Sequence, residues 1–177
     1  MRVDCLNKQQ QKAIENRLSG DLLLIWQIGC STGLRISDIL DLKISQITKE
    51  YSFVKEKKTG KTRRVYFKKG IRKKAEEYAT KNKLNECDKA FNVTRQTVWN
   101  NIKKAAKLEN IETNVGTHSM RKSYSIAYIN KGYSIEDLHK RLNHTNMADT
   151  IGYITTNKQL GLDIKGRKTK KRGKISC

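Results

Sequence analysis

The sequence predicts an α+β fold that is mostly helical and carries one small antiparallel β-sheet or hairpin near residues 44–67. Two observations lead to this prediction. Apolar residues recur at intervals of three and four over most of the chain, as they do along the buried face of a helix. Only between residues 44 and 67 does the spacing change to short segments rich in Val, Ile, Tyr and Phe.

Three helices are predicted ahead of these strands. Residues 6–18 are polar with spaced apolar positions, which is typical of a surface helix. Residues 21–30 are mostly apolar and predict a buried helix with Asp21 as its N-cap. A Ser-Thr-Gly sequence ends that helix at Gly33, and a short helix is expected to begin near Arg35.

Strands are predicted at residues 44–47, 52–55 and 63–67. The segment between the last two contains Gly60, the residue type that a hairpin turn needs. Helical spacing then returns at residues 71–81, 94–108, 119–130, 134–142 and 147–154. We therefore expect one compact domain over residues 1–160, followed by a basic tail over residues 161–177.

The charge of the chain is strongly unbalanced. The 177 residues include 38 Lys and Arg but only 17 Asp and Glu, which gives a net charge of +21, and seven of the basic residues lie in the last thirteen positions. A polyanion is the expected partner, with nucleic acid first and an anionic membrane surface second. The competing interpretation is a biased coding composition that enriches lysine without a functional reason.

A membrane or secreted location and a bound cofactor are not expected. The longest apolar stretch, residues 22–26, is far too short to span a bilayer, and the N-terminus does not resemble a signal peptide, so we predict a cytoplasmic protein without membrane contact. No cysteine pair has the spacing of a zinc site or suggests a disulfide framework. We predict no metal and no cofactor, with reduced thiols at Cys5, Cys30, Cys87 and Cys177.

Three local patterns could carry chemistry. Arg35 follows a sharp turn between two helices, in the sequence Thr-Gly-Leu-Arg. His118 and Arg121 are three residues apart, so on a helix they share one face and can converge on one anion. His144 is followed nine residues later by Tyr153. Each pattern alone also has an ordinary interpretation, namely a solvated arginine, a chance pairing or a packed tyrosine.

Together these residues resemble the active site of the tyrosine recombinases, the family of phage integrases and Xer-type recombinases. The resemblance extends from residue 6 to about residue 159. The first family arginine matches Arg35, with a supporting acid at Asp38. The remaining family positions match His118 and Arg121 in the second box, His144 in the third box, and Tyr153 at the nucleophile spacing.

The resemblance implies a site-specific DNA recombinase that needs neither metal nor ATP. Tyr153 would attack a DNA phosphate to form a 3′-phosphotyrosyl intermediate, and Arg35 and Arg121 would bind the non-bridging oxygens. His118 would assist proton transfer and His144 would donate a hydrogen bond. The family's general acid is a hairpin lysine, which matches Lys58 here; its neighbours Lys57 and Lys61 remain alternatives.

Residues 93–99 resemble the major-groove helix of the family and the recognition helix of a helix-turn-helix. We expect Arg95 and Gln96 to contact base edges, whereas Val98 and Trp99 are predicted in the core. The expected partner is double-stranded DNA with specific sites, bound by a homo-tetramer that is a monomer when free. Further DNA contacts are predicted at Thr94, Lys57, Lys61 and Arg63.

The sequence also departs from the family pattern. Arg35 lies so early that no room is left for an N-terminal DNA-clamping domain, so the chain is either a fragment or a naturally minimal recombinase, and we expect the second. The basic tail is expected to add sequence-independent affinity for DNA. Two other functions remain open, a type IB topoisomerase that relaxes DNA and a regulator that binds DNA without cutting it.

Overall fold

The computed structural model describes residues 3–155, which contain nine α-helices and one two-stranded antiparallel sheet. The predicted class, mostly helical with a small hairpin, is therefore confirmed. No helix within the described residues is long and apolar enough to cross a membrane. The predicted tail, residues 161–177, lies outside the described part. In chain order the elements are α1 (Lys8–Arg17), α2 (Gly20–Thr32), α3 (Ile36–Ile39), α4 (Ile44–Ile47), β1 (Tyr51–Lys55), β2 (Thr62–Tyr66), α5 (Lys69–Lys81), α6 (Arg95–Leu108), α7 (Thr117–Ile129), α8 (Ile135–Leu142) and α9 (Met147–Thr155).

The described residues divide into two compact units, with the boundary between Tyr124 and Ser125. The first unit contains α1 to α6 and the sheet around one apolar core. Trp26 of α2 is the largest side chain of that core and is 1% exposed. In the second unit α8 packs against α9, and Leu138 and Leu142 of α8 are fully buried.

Helix α2 contributes several side chains to the core of the first unit, because seven of its thirteen residues are apolar. Ile25, Trp26 and Ile28 are buried along it. The predicted N-cap was wrong, since Ser19 occupies that position and Asp21 lies inside the first turn. A carboxylate there still faces the positive end of the helix dipole, which is a favourable arrangement.

The first predicted strand was also wrong, because residues 44–47 form the helical turn α4. Ile44 and Ile47 are both buried. Residues three apart point to opposite faces of a strand but to the same face of a helix, so only the helical turn can bury both. The Gln46 side chain accepts a 3.0 Å hydrogen bond from the backbone N–H of Lys43 at the start of the turn.

Strands β1 and β2 form the predicted hairpin, with Tyr51 paired to Tyr66 and Lys55 paired to Thr62. Side chains alternate between the two faces, as in any sheet. Val54 and Val65 are buried on one face, whereas Phe53 on the other face is exposed. The buried face anchors the hairpin on the core, which fixes the position of both ends of the connecting loop, residues 56–61.

Candidate active site

The turn that carries Arg35 depends on Gly33. Gly33 follows the last residue of α2 in the left-handed region, with φ of 66°, and its N–H donates to the carbonyl of Gly29 at 3.0 Å. A β-carbon added at Gly33 would lie 2.5 Å from the Cδ1 atom of Tyr124. Any larger residue would therefore face both backbone strain and a clash, which makes Gly33 the residue that sets the direction of the chain into Arg35.

The side chain of Arg35 is held by a buried carboxylate that the sequence analysis missed. Glu56 is 0% exposed, and its Oε2 atom accepts hydrogen bonds from Nη1 of Arg35 and, at 3.0 Å, from Oγ1 of Thr59. A buried carboxylate is costly unless charged donors compensate it. The contact with Glu56 therefore holds the side chain of Arg35 in one orientation. The only signal in the sequence was an acid directly before two lysines in a basic segment.

Arg63, predicted as a DNA contact, lies on the other side of the same carboxylate. Its side chain is only 9% exposed, and its Nε atom lies 3.4 Å from Oε1 of Glu56. Its Nη2 atom donates to the carbonyl of Thr32 at 3.2 Å. These contacts are internal, and the DNA contact predicted at Arg63 stays a prediction. Arg63 and Arg35 therefore share the carboxylate of Glu56.

Asp38 holds the loop that carries the candidate general acid in place. This residue is 1% exposed, and its Oδ1 atom accepts a 3.1 Å hydrogen bond from the backbone N–H of Lys57. The loop is closed by hydrogen bonds between Glu56 N and Lys61 O at 3.0 Å and between Gly60 N and Glu56 O at 2.8 Å. Since Asp38 follows Arg35 by one turn of α3, the loop and the arginine are positioned together.

The three candidate lysines of the loop differ in their partners. The Nζ atom of Lys57 lies 3.0 Å from Oδ1 of Asp41. Hydrogen bonds from Lys57 and Lys89 hold the pKa of that carboxyl below its usual value. Lys58 and Lys61 are exposed, and neither forms an ion pair within residues 3–155. Lys58 is therefore available for chemistry at the tip of the loop, whereas Lys57 already has a partner.

Helix α7 places its two candidates on one face, with Arg121 buried and His118 exposed. Arg121 is 1% exposed, and its Nη1 atom donates a 2.6 Å hydrogen bond to the carbonyl of Gly33. Gly33 is two residues before Arg35, so the bond ties the second arginine to the turn that carries the first. The structure thus brings together two residues that are 86 positions apart in the sequence.

The ring of His118 lies within the field of these arginines. Protein atoms around the ring displace part of its hydration, and this desolvation is the largest cause that lowers the pKa of His118 below its usual value. The positive charges of Arg95, Arg121 and Arg35 lower it further. A lowered pKa leaves the imidazole neutral near pH 7, in the form that can accept a proton.

The second unit holds the other two candidates. His144 is 7% exposed and follows Asn143, which ends α8 in the left-handed region with φ of 54°. Its ring meets the ring of Tyr153 edge-on, with centroids 5.1 Å apart and planes at 84°. Tyr153 is half-buried in α9. Each compact unit therefore holds its own group of predicted residues.

Helix α6 presents the predicted base-reading residues at its first turn. Thr94 is the N-cap, and its Oγ1 atom accepts a 3.1 Å hydrogen bond from the N–H of Thr97. Arg95 and Gln96 are exposed directly after the cap. The prediction that Trp99 lies in the core was wrong: it is 38% exposed, with the Nζ atom of Lys103 5.1 Å from its ring centroid. The buried side chains of this helix are Val98, Ile102, Ala105 and Ala106.

Metal ligands do not gather anywhere in the described part of the chain. No group of three or more His, Cys, Asp or Glu side chains among residues 3–155 is placed to hold a metal ion. The acids of the candidate site, Asp38 and Glu56, are instead hydrogen-bonded to the backbone of Lys57 and to Arg35.

Comparison with known proteins gives one consistent result. The model of the phage integrase family matches residues 4–159. The chain is 29% identical to the probable integrase/recombinase YoeC of Bacillus subtilis over 132 residues, which are 71% of this chain and 72% of that protein. It is 30% identical to tyrosine recombinase XerA of Pyrococcus horikoshii, over 81% of this chain but only 53% of XerA.

A solved structure matches the fold. The XerH site-specific recombinase, in a post-cleavage complex with palindromic difH substrate, superimposes with a TM-score of 0.70. The match has 21% sequence identity and covers 89% of this chain and 51% of the XerH chain. The chain therefore spans about half the length of XerA and of XerH, and it has the fold of that half.

Proposed function

Because this chain belongs to the phage integrase family, we propose that it is a site-specific tyrosine recombinase that cleaves and rejoins double-stranded DNA. The observation that carries this proposal is the bond from Arg121 to the carbonyl of Gly33, which ties the guanidinium group of Arg121 to the turn that carries Arg35. Planar guanidinium forks match the oxygens of a phosphate better than lysine does. The net charge of +21 supports a polyanionic partner.

The proposed reaction begins when the Oη atom of Tyr153 attacks a DNA phosphate. A bond forms from Oη to phosphorus and the bond from phosphorus to the 5′ oxygen breaks, which leaves a 3′-phosphotyrosyl link. Negative charge grows on the two non-bridging oxygens in the transition state. Arg35, Arg121 and a hydrogen bond from His144 stabilise that charge.

Two protons must move in this step. The tyrosine hydroxyl has an ordinary pKa of about 10, so it must lose its proton as it attacks. His118 would accept it, because its lowered pKa leaves the imidazole in the neutral form that takes up a proton. Lys58 donates a proton to the departing 5′ oxygen. The free 5′-hydroxyl of a partner strand then reverses both transfers, and the phosphotyrosyl bond conserves the energy needed for rejoining.

Exchange between two duplexes requires four strand cleavages, so we propose four protomers on DNA and a monomer in its absence. Arg95 and Gln96 at the first turn of α6 are the candidates for reading base edges, with Arg to guanine and Gln to adenine. Thr94, Lys57 and Lys61 would contact the phosphate backbone of the DNA. Contacts to phosphates position the protein and carry no sequence information.

A covalent-capture experiment tests this function without knowledge of the target site. The chain is incubated with duplexes that contain a randomised palindrome and a nick, so that the cleaved end diffuses away and the adduct accumulates. We expect adducts that survive SDS and EDTA, and sequencing of the captured strands should return one motif. Relaxation of a plasmid that lacks this motif would indicate a topoisomerase instead. Binding without any adduct would indicate a non-cleaving regulator.

Replacement of Glu56 by Gln should slow adduct formation about 10-fold with little change in DNA affinity. The substitution keeps the volume but removes the charge that orients Arg35 and Arg63. Single-turnover cleavage on the captured motif and thermal melting of the free protein measure the two effects. Glu50→Gln is the matched control, because Glu50 is exposed and lies directly before β1, whereas Glu56 lies directly after it. Cleavage by Glu56→Gln at the rate of that control would contradict the assignment.

A further inference from the structure

The hydroxyl of Thr150 lies between two imidazole rings of the second unit. Its Oγ1 atom is 2.9 Å from Nδ1 of His144 and 3.1 Å from Nδ1 of His139. Thr150 is 0% exposed and His144 is 7% exposed, whereas His139 is half-buried. One buried hydroxyl therefore connects a half-buried histidine to the histidine that is a candidate for phosphate contact.

Local structure brings these groups together. His139 lies in the last turn of α8, and the backbone N–H of His144 points back to its carbonyl at 3.4 Å. The left-handed conformation of Asn143 makes this reversal possible. On α9, Thr150 and Tyr153 are three residues apart and so share one face of the helix. Both contact the ring of His144.

The number of hydrogens limits how these bonds can be arranged. A threonine hydroxyl has one hydrogen to donate and two lone pairs that accept. A buried O–H group needs a partner, and within residues 3–155 this hydroxyl has none besides the two rings. The hydroxyl must therefore donate to one Nδ1 and can accept from the other. The tautomers of His139 and His144 are coupled as a result.

The two arrangements have opposite consequences for His144. If Thr150 donates to it, Nδ1 of His144 carries no hydrogen, and the ring's proton lies on Nε2 as a donor. If Thr150 accepts from it, Nε2 becomes an acceptor. Both contacts are within hydrogen-bond distance. Only the first arrangement lets His144 donate a hydrogen bond to a phosphate, so it is the arrangement that the proposed function requires.

We propose that Thr150 and His139 are positioning residues that keep the proton of His144 on Nε2, so that this ring donates a hydrogen bond to the transferring phosphate. The Nδ1–H of His139 satisfies one lone pair of the Thr150 hydroxyl, and the hydroxyl hydrogen satisfies Nδ1 of His144. The role in phosphate binding rests on the proposed recombinase function. The coupling of the two tautomers does not depend on it.

Spectroscopy of the free protein tests the coupling directly. The chain has three histidines, so long-range ¹H–¹⁵N spectra of ¹⁵N-histidine-labelled protein can be assigned with single His→Gln variants. We expect His144 to show a hydrogen on Nε2 and an unprotonated Nδ1 in the unaltered chain and in Thr150→Ser. In Thr150→Val, which keeps the shape but lacks the hydroxyl, a mixture of tautomers is expected. A hydrogen on Nδ1 of His144 in the unaltered chain would overturn the proposal.

Cleavage supplies the second measurement. Thr150→Val should slow adduct formation by about 10- to 100-fold, which is less than complete loss of an oxyanion donor would cost. Thr150→Ser should restore at least half of the rate. His139→Asn, whose amide nitrogen can replace Nδ1 as a donor, should cleave faster than His139→Leu. Equal rates for the Val and Ser variants would refute the positioning role. If no variant forms an adduct, including the unaltered chain, the recombinase function fails while the spectra still decide the coupling.

Discussion

Replacement of Tyr153 by Phe should abolish the covalent protein–DNA adduct while the protein still binds DNA. The substitution removes only the phenol oxygen, the atom that we propose attacks the phosphate. Loss of a nucleophile costs at least about 10³-fold in comparable group-transfer enzymes. Denaturing gels of the nicked-duplex reaction measure the adduct, and gel shifts measure binding by the same preparation.

The Phe variant should keep the packing of the ring at position 153. Tyr153 contacts His144 through its ring, with centroids 5.1 Å apart, and Phe retains that ring. Tyr133→Phe is the matched control, because Tyr133 lies in the same unit with its ring stacked 4.3 Å from that of Tyr128. We expect the control to form adducts at the unaltered rate. An adduct with Tyr153→Phe, or its loss in both variants, would remove Tyr153 from the nucleophile role.

The turn residues were predictable because their constraint is local. Gly33 sits at a break between two apolar segments, and its φ of 66° is a conformation that glycine adopts most easily. Asn143 also adopts the left-handed region, with φ of 54°, which asparagine tolerates better than most residues. The helical spacing of His118 and Arg121 likewise places both residues on one face of α7. In each case a few residues that are close in sequence determine the local conformation.

The supporting groups could not be predicted, because their partners are distant in sequence. Glu56 acquires its importance from Arg35, which is 21 residues away, and from Arg63 on the second strand of the hairpin. The error over residues 44–47 has the same origin. A segment with Ile at both ends suits a strand by composition, but the core of the first unit requires both isoleucines on one side.

Replacement of Lys58 by Ala should slow cleavage by about 10²- to 10⁴-fold, the usual contribution of a general acid. The departing 5′ oxygen is a strong base and needs a proton as the bond breaks. Lys57→Ala should have a much smaller effect, because the Nζ atom of Lys57 is paired with Asp41 at 3.0 Å. Lys61→Ala provides a second control from the same loop, with a lysine that is also exposed.

A change in the leaving group separates proton donation from DNA binding. A substrate with sulfur in place of the bridging 5′ oxygen expels a thiolate, whose conjugate acid has a pKa near 8.5 and needs no protonation. Lys58→Ala should therefore cleave the sulfur substrate nearly as fast as the unaltered chain does. A lysine that only binds phosphate would leave the sulfur substrate as slow as the oxygen substrate. If the sulfur substrate restored cleavage by Lys61→Ala and not by Lys58→Ala, the general acid would be Lys61, on the other side of Gly60. Lys58 would then be a DNA contact.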